Sequence, residues 1–188
     1  TAGASTATLA GTPANGDVGS HSVTVTVADA AGASDTETFT IVVANTNDAP
    51  TISSTAVTSA TEDSAYSYTT TASDVDSGDT VTLACTTVPS WLTCTAGALS
   101  GTPTNDEVGS HSVVITASDV AGATATDSFT ITVANTNDAP TISSTAVTSA
   151  TEDAAYSYTT TASDVDSGDV VTLTCTTVPS WLTCTAGA

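Results

Sequence analysis

The sequence predicts an all-β protein made of tandem β-sandwiches, each of about seven short strands. Three observations lead there: apolar and polar residues alternate with period two, turn residues recur about every ten positions, and the pattern repeats at an offset of 90 residues, as from Gly11 to Gly101. The alternation is plainest over residues 22–28 (SVTVTVA), where Val23, Val25 and Val27 fall on one face and Thr24 and Thr26 on the other. Residues 38–43 follow with Phe39, Ile41 and Val43 inward. The second copy places Val113, Ile115 and Ala117, then Phe129, Ile131 and Val133, in the same way. Tyr66 with Tyr68, and Val81 with Leu83 and Cys85, alternate likewise. No window carries apolar residues at helical spacing, and Val, Ile, Thr and Tyr favour pleated structure, so helix is expected to be nearly absent.

Turn chemistry separates these strands at Gly11-Thr12-Pro13, Asp17-Val18-Gly19, Ala30-Ala31-Gly32, residues 47–50 (NDAP), residues 76–79 (DSGD) and Val88-Pro89-Ser90. The repeat carries the same punctuation. NTNDAP stands at 45–50 and again at 135–140, Glu62-Asp63 returns as Glu152-Asp153, and WLTC stands at 91–94 and 181–184. A period this long is of domain size, so each unit is expected to build its own core instead of leaning on its neighbour. The phase divides the chain into the C-terminal half of one bead (1–48), a complete bead (49–138) and the N-terminal half of the next (139–188). TAGA at 1–4 echoes 95–98 and 185–188, and no signal peptide, membrane-spanning run or anchoring tail is visible. The chain therefore reads as a window on a longer array.

Charge narrows the function. The 188 residues hold 20 acidic side chains, two His and no Lys or Arg, for a formal net charge of −20. Nothing in the chain can neutralise phosphates, which argues against nucleic-acid and anionic-membrane binding. It also lacks the Lys, Arg or positioned His on which most catalytic chemistry leans, so no enzyme is expected. Disorder is countered by 39% hydrophobic content and a mean hydropathy of +0.17.

Cys85 and Cys94 bracket one copy of CTTVPSWLTC and Cys175 and Cys184 bracket an identical one. Local pairing, Cys85–Cys94 and Cys175–Cys184, is the simplest of three connectivities, with four free buried thiols as the alternative. Disulfides would place the chain outside a reducing cytosol. His21 and His111 have no partner in sequence reach for zinc or catalysis and read as structural or solvent-facing. Trp91 and Trp181, each after Pro-Ser, read either as plugs at the end of the core or as sugar-stacking platforms. Thr and Ser on outward faces keep sheets soluble where charge is sparse.

The carboxylates are clustered. Residues 74–79 (DVDSGD) set acidic groups at alternate positions around a glycine turn, an arrangement that wraps a hard cation, although many solvated acidic turns look the same. Asp35, Glu37 and Asp127 read as single solvated charges.

Taken together, residues 45–50 (NTNDAP), 74–79 (DVDSGD) and 28–34 (ADAAGAS) resemble, in order and spacing, the linker, D-x-D turn and A-x-D-x-G strand end of cadherins. The run through Leu99-Ser100-Gly101-Thr102-Pro103, Val108-Gly109-Ser110-His111 and residues 135–140 is similar to the dystroglycan-type cadherin-like repeats of large bacterial surface proteins and adhesins. The resemblance spans essentially the whole chain. It implies Ig/cadherin-like Greek-key sandwiches with calcium at the junctions between beads. Carried over, it gives Asn47, Asp48, Asp74, Asp76 and Asp119 as ligands at the first junction. At the second it gives Asn137, Asp138, Asp164 and Asp166, with Glu62 from the base of the central bead. Asp29 takes the same part at a junction upstream, and Glu152 is the repeat equivalent of Glu62. Asn45 stands where cadherins have Asp, and their Asp-Arg-Glu motif is missing, so fewer ions than a full cadherin set are expected. In its place lie Gly16 and Asp17 in the first copy, Asp106 and Glu107 in the second.

The expected function is therefore mechanical. The chain reads as a calcium-stiffened segment of an extracellular or cell-surface stalk, adhesin or filament, with neighbouring copies of the repeat as partners, joined covalently or head to tail. The alternative is a carbohydrate-binding or accessory module of a secreted polysaccharide-degrading protein.

Overall fold

The computed structural model describes residues 5–185, so the echoes at 1–4 and 186–188 lie outside the described residues. The only helical turns among the described residues are two 3-10 turns, Asn15–Asp17 and Asn105–Glu107. No helix among them is long and apolar enough to cross a membrane.

The chain opens with an antiparallel hairpin, β1 (Gly19–Ala28) and β2 (Ser34–Val43), in unbroken register from Gly19 opposite Val43 to Ala28 opposite Ser34. Nine strands follow: β3 (Thr51–Ile52), β4 (Ser59–Thr61), β5 (Tyr66–Thr69), β6 (Ala72–Ser73), β7 (Thr82–Thr87), β8 (Leu92–Thr95), β9 (Ala98–Gly101), β10 (Gly109–Ser118) and β11 (Thr124–Ala134). Last come β12 (Thr141–Ile142) and β13 (Ala162–Ser163), paired antiparallel.

The nine central strands form a sandwich. One sheet runs β4-β11-β10-β7, with β4 parallel to β11, and the facing one runs β5-β9-β8; β3 pairs with β6. The count exceeds the expected seven partly because the first extended segment splits. Its β3 half pairs with β6 and its β4 half with β11, so one stretch of chain serves two sheets.

The alternation read from sequence puts one face of each strand into the gap. Tyr66 and Tyr68 from β5, Leu92 from β8 and Leu99 from β9 meet Val113, Ile115 and Ile131 from β10 and β11. Burying each aliphatic chain here contributes roughly 1.5–3 kcal/mol. The aromatic rings add edge-to-face contacts, Tyr68 on Phe129 at 5.5 Å and Tyr66 on Trp91 at 5.7 Å. Buried phenols keep their hydrogen bonds: the Tyr66 hydroxyl donates to the Val57 carbonyl at 2.7 Å, and that of Tyr68 lies 2.9 Å from Ser54 Oγ. Burial, then the neighbouring Tyr68, pushes the Tyr66 phenol up to about 12.

Cys85 on β7 and Cys94 on β8 are bonded, as are Cys175 and Cys184, and no cysteine is free. The first bridge joins the two sheets, closing the edge where β7 crosses to β8. Gly101, which opens the Gly-Thr-Pro turn, lies where β9 passes the Trp91 carbonyl so closely that a Cβ would collide with it.

The hairpin departs from the expected burial. Phe39 and Ile41 were expected inward, yet they are 36% and 46% exposed, whereas Ile131 at the repeat-equivalent of Ile41 is fully buried. Among the described residues no second sheet faces them.

Replacing Cys85 and Cys94 together with Ser should lower the unfolding free energy by a little under ~3 kcal/mol, measured by denaturant titration, because the closed loop is shorter than 15 residues. A second expectation follows from Tyr66. Its folded-state pKa lies above the unfolded value, so stability held below pH 10.0 should be lost as pH rises towards about 12. Tyr66→Phe should remove that part of the alkaline loss in a thermal-midpoint series.

Candidate metal centres

With no Lys or Arg in the chain, no carboxylate has a permanently cationic side chain to pair with. The acidic groups at the linkers are held instead by backbone and asparagine N–H groups. At the first linker, Asp48 N donates to Asp76 Oδ2 at 2.7 Å, and Asp76 N donates to Asp74 Oδ1 at 2.9 Å. Asn47 Nδ2 donates to Asp119 Oδ2 at 2.8 Å and to the Asp48 carbonyl. Asp119 Oδ1 accepts from Gly122 N and Ala123 N, in the turn between β10 and β11. The carboxylates of Asp74, Asp76 and Asp79 offer oxygens within 4.8 Å of one another.

The second linker repeats this arrangement. Asp138 N donates to Asp166 Oδ2 at 2.7 Å, Asp166 N donates to Asp164 Oδ1 at 2.9 Å, and Asn137 Nδ2 donates to the Asp138 carbonyl. Here the base of the central sandwich joins in. Glu62 is 1% exposed, its N–H donates to the Ala134 carbonyl at 3.0 Å, and its Oε1 accepts from Thr136 N at 2.6 Å. Glu62, Asp138 and Asp166 form one close cluster, and Asp164, Asp166 and Asp169 form another that shares Asp166.

These clusters hold orphaned oxygens. Asp74 Oδ2 and Asp76 Oδ1 at the first linker, and Glu62 Oε2 and Asp166 Oδ1 at the second, are buried without a hydrogen-bond partner. A buried, unpaired carboxylate oxygen is costly. The donor set is all oxygen, with no His or Cys in any cluster, which suits a hard divalent cation such as calcium and not zinc.

The electrostatics differ within the group. Partial desolvation, then repulsion from Asp74, Asp119 and Asp76, raises the Asp79 carboxyl above its ordinary range. The Asn47 amide, outweighing desolvation and helped by the backbone N–H groups of the turn, holds the Asp119 carboxyl below its own. The Thr104 N–H and hydroxyl similarly lower Glu107.

Of the residues expected from sequence, Asn47, Asp48, Asp74, Asp76 and Asp119 converge at the first linker, and Glu62, Asp138, Asp164 and Asp166 at the second. Among the described residues, Asn137 Nδ2 donates to the Asp138 carbonyl and to no carboxylate. Asp29 is exposed and caps its own turn through Ala31 N and Ala33 N; Glu152 is exposed; neither joins a carboxylate cluster among the described residues. Three residues, Asp169, Asn15 and Asn105, escaped the sequence reading, and Asp79 was read within the 74–79 turn without being carried over as a ligand. Asp79 and Asp169 complete the acidic turns, and Asn15 and Asn105 donate to Asp48 Oδ2 and Asp138 Oδ2, each at 2.7 Å. Each of these asparagines opens a 3-10 turn and meets its aspartate 33 residues on, so no local signal marked it. Glu107, in that turn, is turned back onto Thr104.

The remaining candidates sit elsewhere. His21 and His111 place Nε2 2.6 Å from the carbonyls of Asp17 and Glu107. Trp91 is half-buried, edge-on to Tyr66 and to His111, whereas Trp181 is 64% exposed.

Facing sheets, an intersheet disulfide and acidic linkers define an immunoglobulin-type, cadherin-like β-sandwich repeat. The chain belongs to the family described as "Putative Ig domain", which it matches over residues 1–44, 49–134 and 139–187. No curated protein matches it. Among solved structures it is similar to the extracellular domain of protocadherin gamma B4, at 21% identity and TM-score 0.54 over 82% of this chain and 30% of that one. It is also similar to extracellular cadherin domains 1–5 of protocadherin gamma B2, at 23% identity and TM-score 0.53 over 82% and 33%. An endo-fucoidan hydrolase of glycoside hydrolase family 107 matches at 32% identity and TM-score 0.40 over 67% and 20%. The chain thus spans no more than 33% of any of these three structures.

Asn47→Ala should move the Asp119 titration upward, towards the ordinary carboxylate range, in an NMR pH series run in chelator. Because Asp119 is depressed in the folded state, its stabilising contribution is lost as pH falls through its folded-state pKa. The variant should show a smaller loss on the acid side.

Proposed function

We propose that this chain is a non-catalytic, mechanical segment of an extracellular or cell-surface stalk, adhesin or filament, with calcium stiffening the joints between its beads. The beads are 49–138 in full, 1–48 as the C-terminal half of one neighbour and 139–188 as the N-terminal half of the other. The observation that carries the reading is Glu62. A fully buried carboxylate spends one oxygen on the linker N–H of Thr136 and leaves the other unpaired, beside Asp138 of the linker and Asp166 of the following segment. Three parts of the chain thus bring negative charge to one spot, where N–H dipoles offset it only in part and the sequence has no Lys or Arg to pair with it.

Asn47, Asp48, Asp74, Asp76, Asp79 and Asp119 would hold the ion at the first joint. Glu62, Asn137, Asp138, Asp164, Asp166 and Asp169 would do so at the second, with Asp29 and Glu152 taking the same part at adjoining joints. When bound, calcium supplies positive charge to oxygens that otherwise repel one another. The chain's own residues orient those oxygens through the Asp48 and Asp138 N–H bonds, which tie each linker to the acidic turn beyond it. Without that charge, two strongly anionic beads on a short linker pivot and repel. The two disulfides suit an oxidising compartment, in keeping with an extracellular place.

Thermal unfolding of the full chain in millimolar calcium and in excess chelator tests this. Calcium should raise the midpoint, since a ligand that binds only the folded state stabilises it by about 2.7 kcal/mol at a hundred times its Kd. The double variant Asp74→Ala, Asp76→Ala should lose much of that gain. Glu62→Gln should do two opposite things: raise the midpoint in chelator, by removing an uncompensated buried charge, and shrink the calcium response. An unchanged midpoint with and without calcium would leave the sandwich standing and remove the ion from its mechanics.

A further inference from the structure

The two 3-10 turns that precede the linkers share one geometry and differ at the residue after the asparagine. Asn15 and Asn105 open them, and each donates from Nδ2 to its linker aspartate, Asp48 or Asp138, at 2.7 Å. Matching main-chain bonds close them. Asp17 N donates to the Ala14 carbonyl and Val18 N to that of Asn15; in the second turn Glu107 N donates to the Thr104 carbonyl and Val108 N to that of Asn105. The residue that follows the asparagine is Gly16 in the first turn and Asp106 in the second.

Asparagine is among the labile side chains, because the next main-chain nitrogen can attack its side-chain carbonyl. A Cβ on that next residue crowds the approach, and glycine has none. Asn15 is the only asparagine in the chain followed by glycine: Asn45 and Asn135 precede Thr, and Asn47, Asn105 and Asn137 precede Asp. The structure leaves the route open. Nothing beyond its chain neighbours lies within 4 Å of where a Gly16 Cβ would stand, and the Gly16 N–H donates to no group among the described residues. Asp106, at the equivalent place in the complete sandwich, is exposed as well, so this position is a surface one in both copies.

We propose that Asn15–Gly16 is a site of spontaneous deamidation whose product unpins the first linker, while the second linker is spared. Solvent base takes the proton from the Gly16 nitrogen, which bonds to Asn15 Cγ. The Cγ–Nδ2 bond breaks and ammonia leaves with a proton from solvent, closing a succinimide ring. Water then opens the ring, at Cγ to give Asp or at the main-chain carbonyl carbon to give isoaspartate. Water is the only co-reactant consumed, and nothing is oxidised or reduced.

The atom that leaves, Nδ2, is the donor that Asp48 Oδ2 accepts from. A carboxylate in its place has no proton to donate and sets like charge at hydrogen-bond distance. Isoaspartate does more, since it reroutes the main chain through the side chain and frees the carbonyl that accepts from Val18 N. The bond to Asp48 is also a brake, because it holds the amide in place until the linker opens. The change is covalent and does not rest on the calcium reading.

The test incubates the full chain in chelator at mildly alkaline pH, where the Gly16 nitrogen gives up its proton more readily. Side-chain amides of asparagine are followed by NMR. The Asn15 signal should fade while that of Asn105 persists, and peptide masses after cleavage at acidic residues should place the amide-to-acid gain at Asn15. Gly16→Asp, which copies the second turn and has room for its side chain, should preserve Asn15. Asp48→Ala should hasten the loss. Asn15→Asp, the product itself, should speed hydrogen exchange at the Asp48 N–H, which bonds to Asp76 Oδ2. Loss of Asn15 no faster than that of Asn105, or equally fast in Gly16→Asp, would overturn the site. An Asp48→Ala rate equal to the native one would overturn the brake, and unchanged exchange in Asn15→Asp the effect on the linker.

Discussion

Twenty carboxylates without a single lysine or arginine set the terms on which this protein folds. Acidic groups cannot be buried beside permanently cationic partners, so most stay at the surface and the few that are buried sit at linkers. There the counter-charge is partial: backbone N–H groups at Asp48, Thr136 and Asp138, and the side-chain amides of Asn15, Asn47 and Asn105. Such dipoles satisfy some oxygens and leave others, among them Glu62 Oε2 and Asp166 Oδ1, facing one another's charge. A linker built this way is tight in its hydrogen bonds and unbalanced in its electrostatics.

The sandwich itself owes little to charge. Its stability rests on apolar chains from two sheets meeting across one gap, with the Cys85–Cys94 bridge tying the sheets where β7 crosses to β8. The same dependence explains the flanking segments. A sheet with an apolar face is incomplete alone, and the hairpin shows what results: the side chains that fill the central core remain in contact with solvent.

Much of the fold was legible from sequence because it follows local rules. Period-two alternation identified the inward faces of β10 and β11, and the two identical CTTVPSWLTC stretches identified both disulfides. The Gly-Thr-Pro motif marked a turn, although the close pass of Gly101 by the Trp91 carbonyl was not readable. The acidic turns were legible as clusters, since alternate carboxylates around a glycine lie near each other by chain geometry alone. Asn15 and Asn105 were not, because each meets its aspartate across 33 residues, and nothing local distinguishes them from any turn asparagine.

What the sequence determined by itself was strand, turn, bridge and repeat, all consequences of neighbours within about ten residues and of one long period. Only the tertiary structure decided which carboxylates become buried and which oxygens go unpaired. Glu62 shows why. Its burial depends on a linker 74 residues away folding over it, and its cluster depends on Asp166 from the segment beyond. Desolvation and charge repulsion arise from distances between remote parts of the chain, and those distances exist only once the sheets have packed.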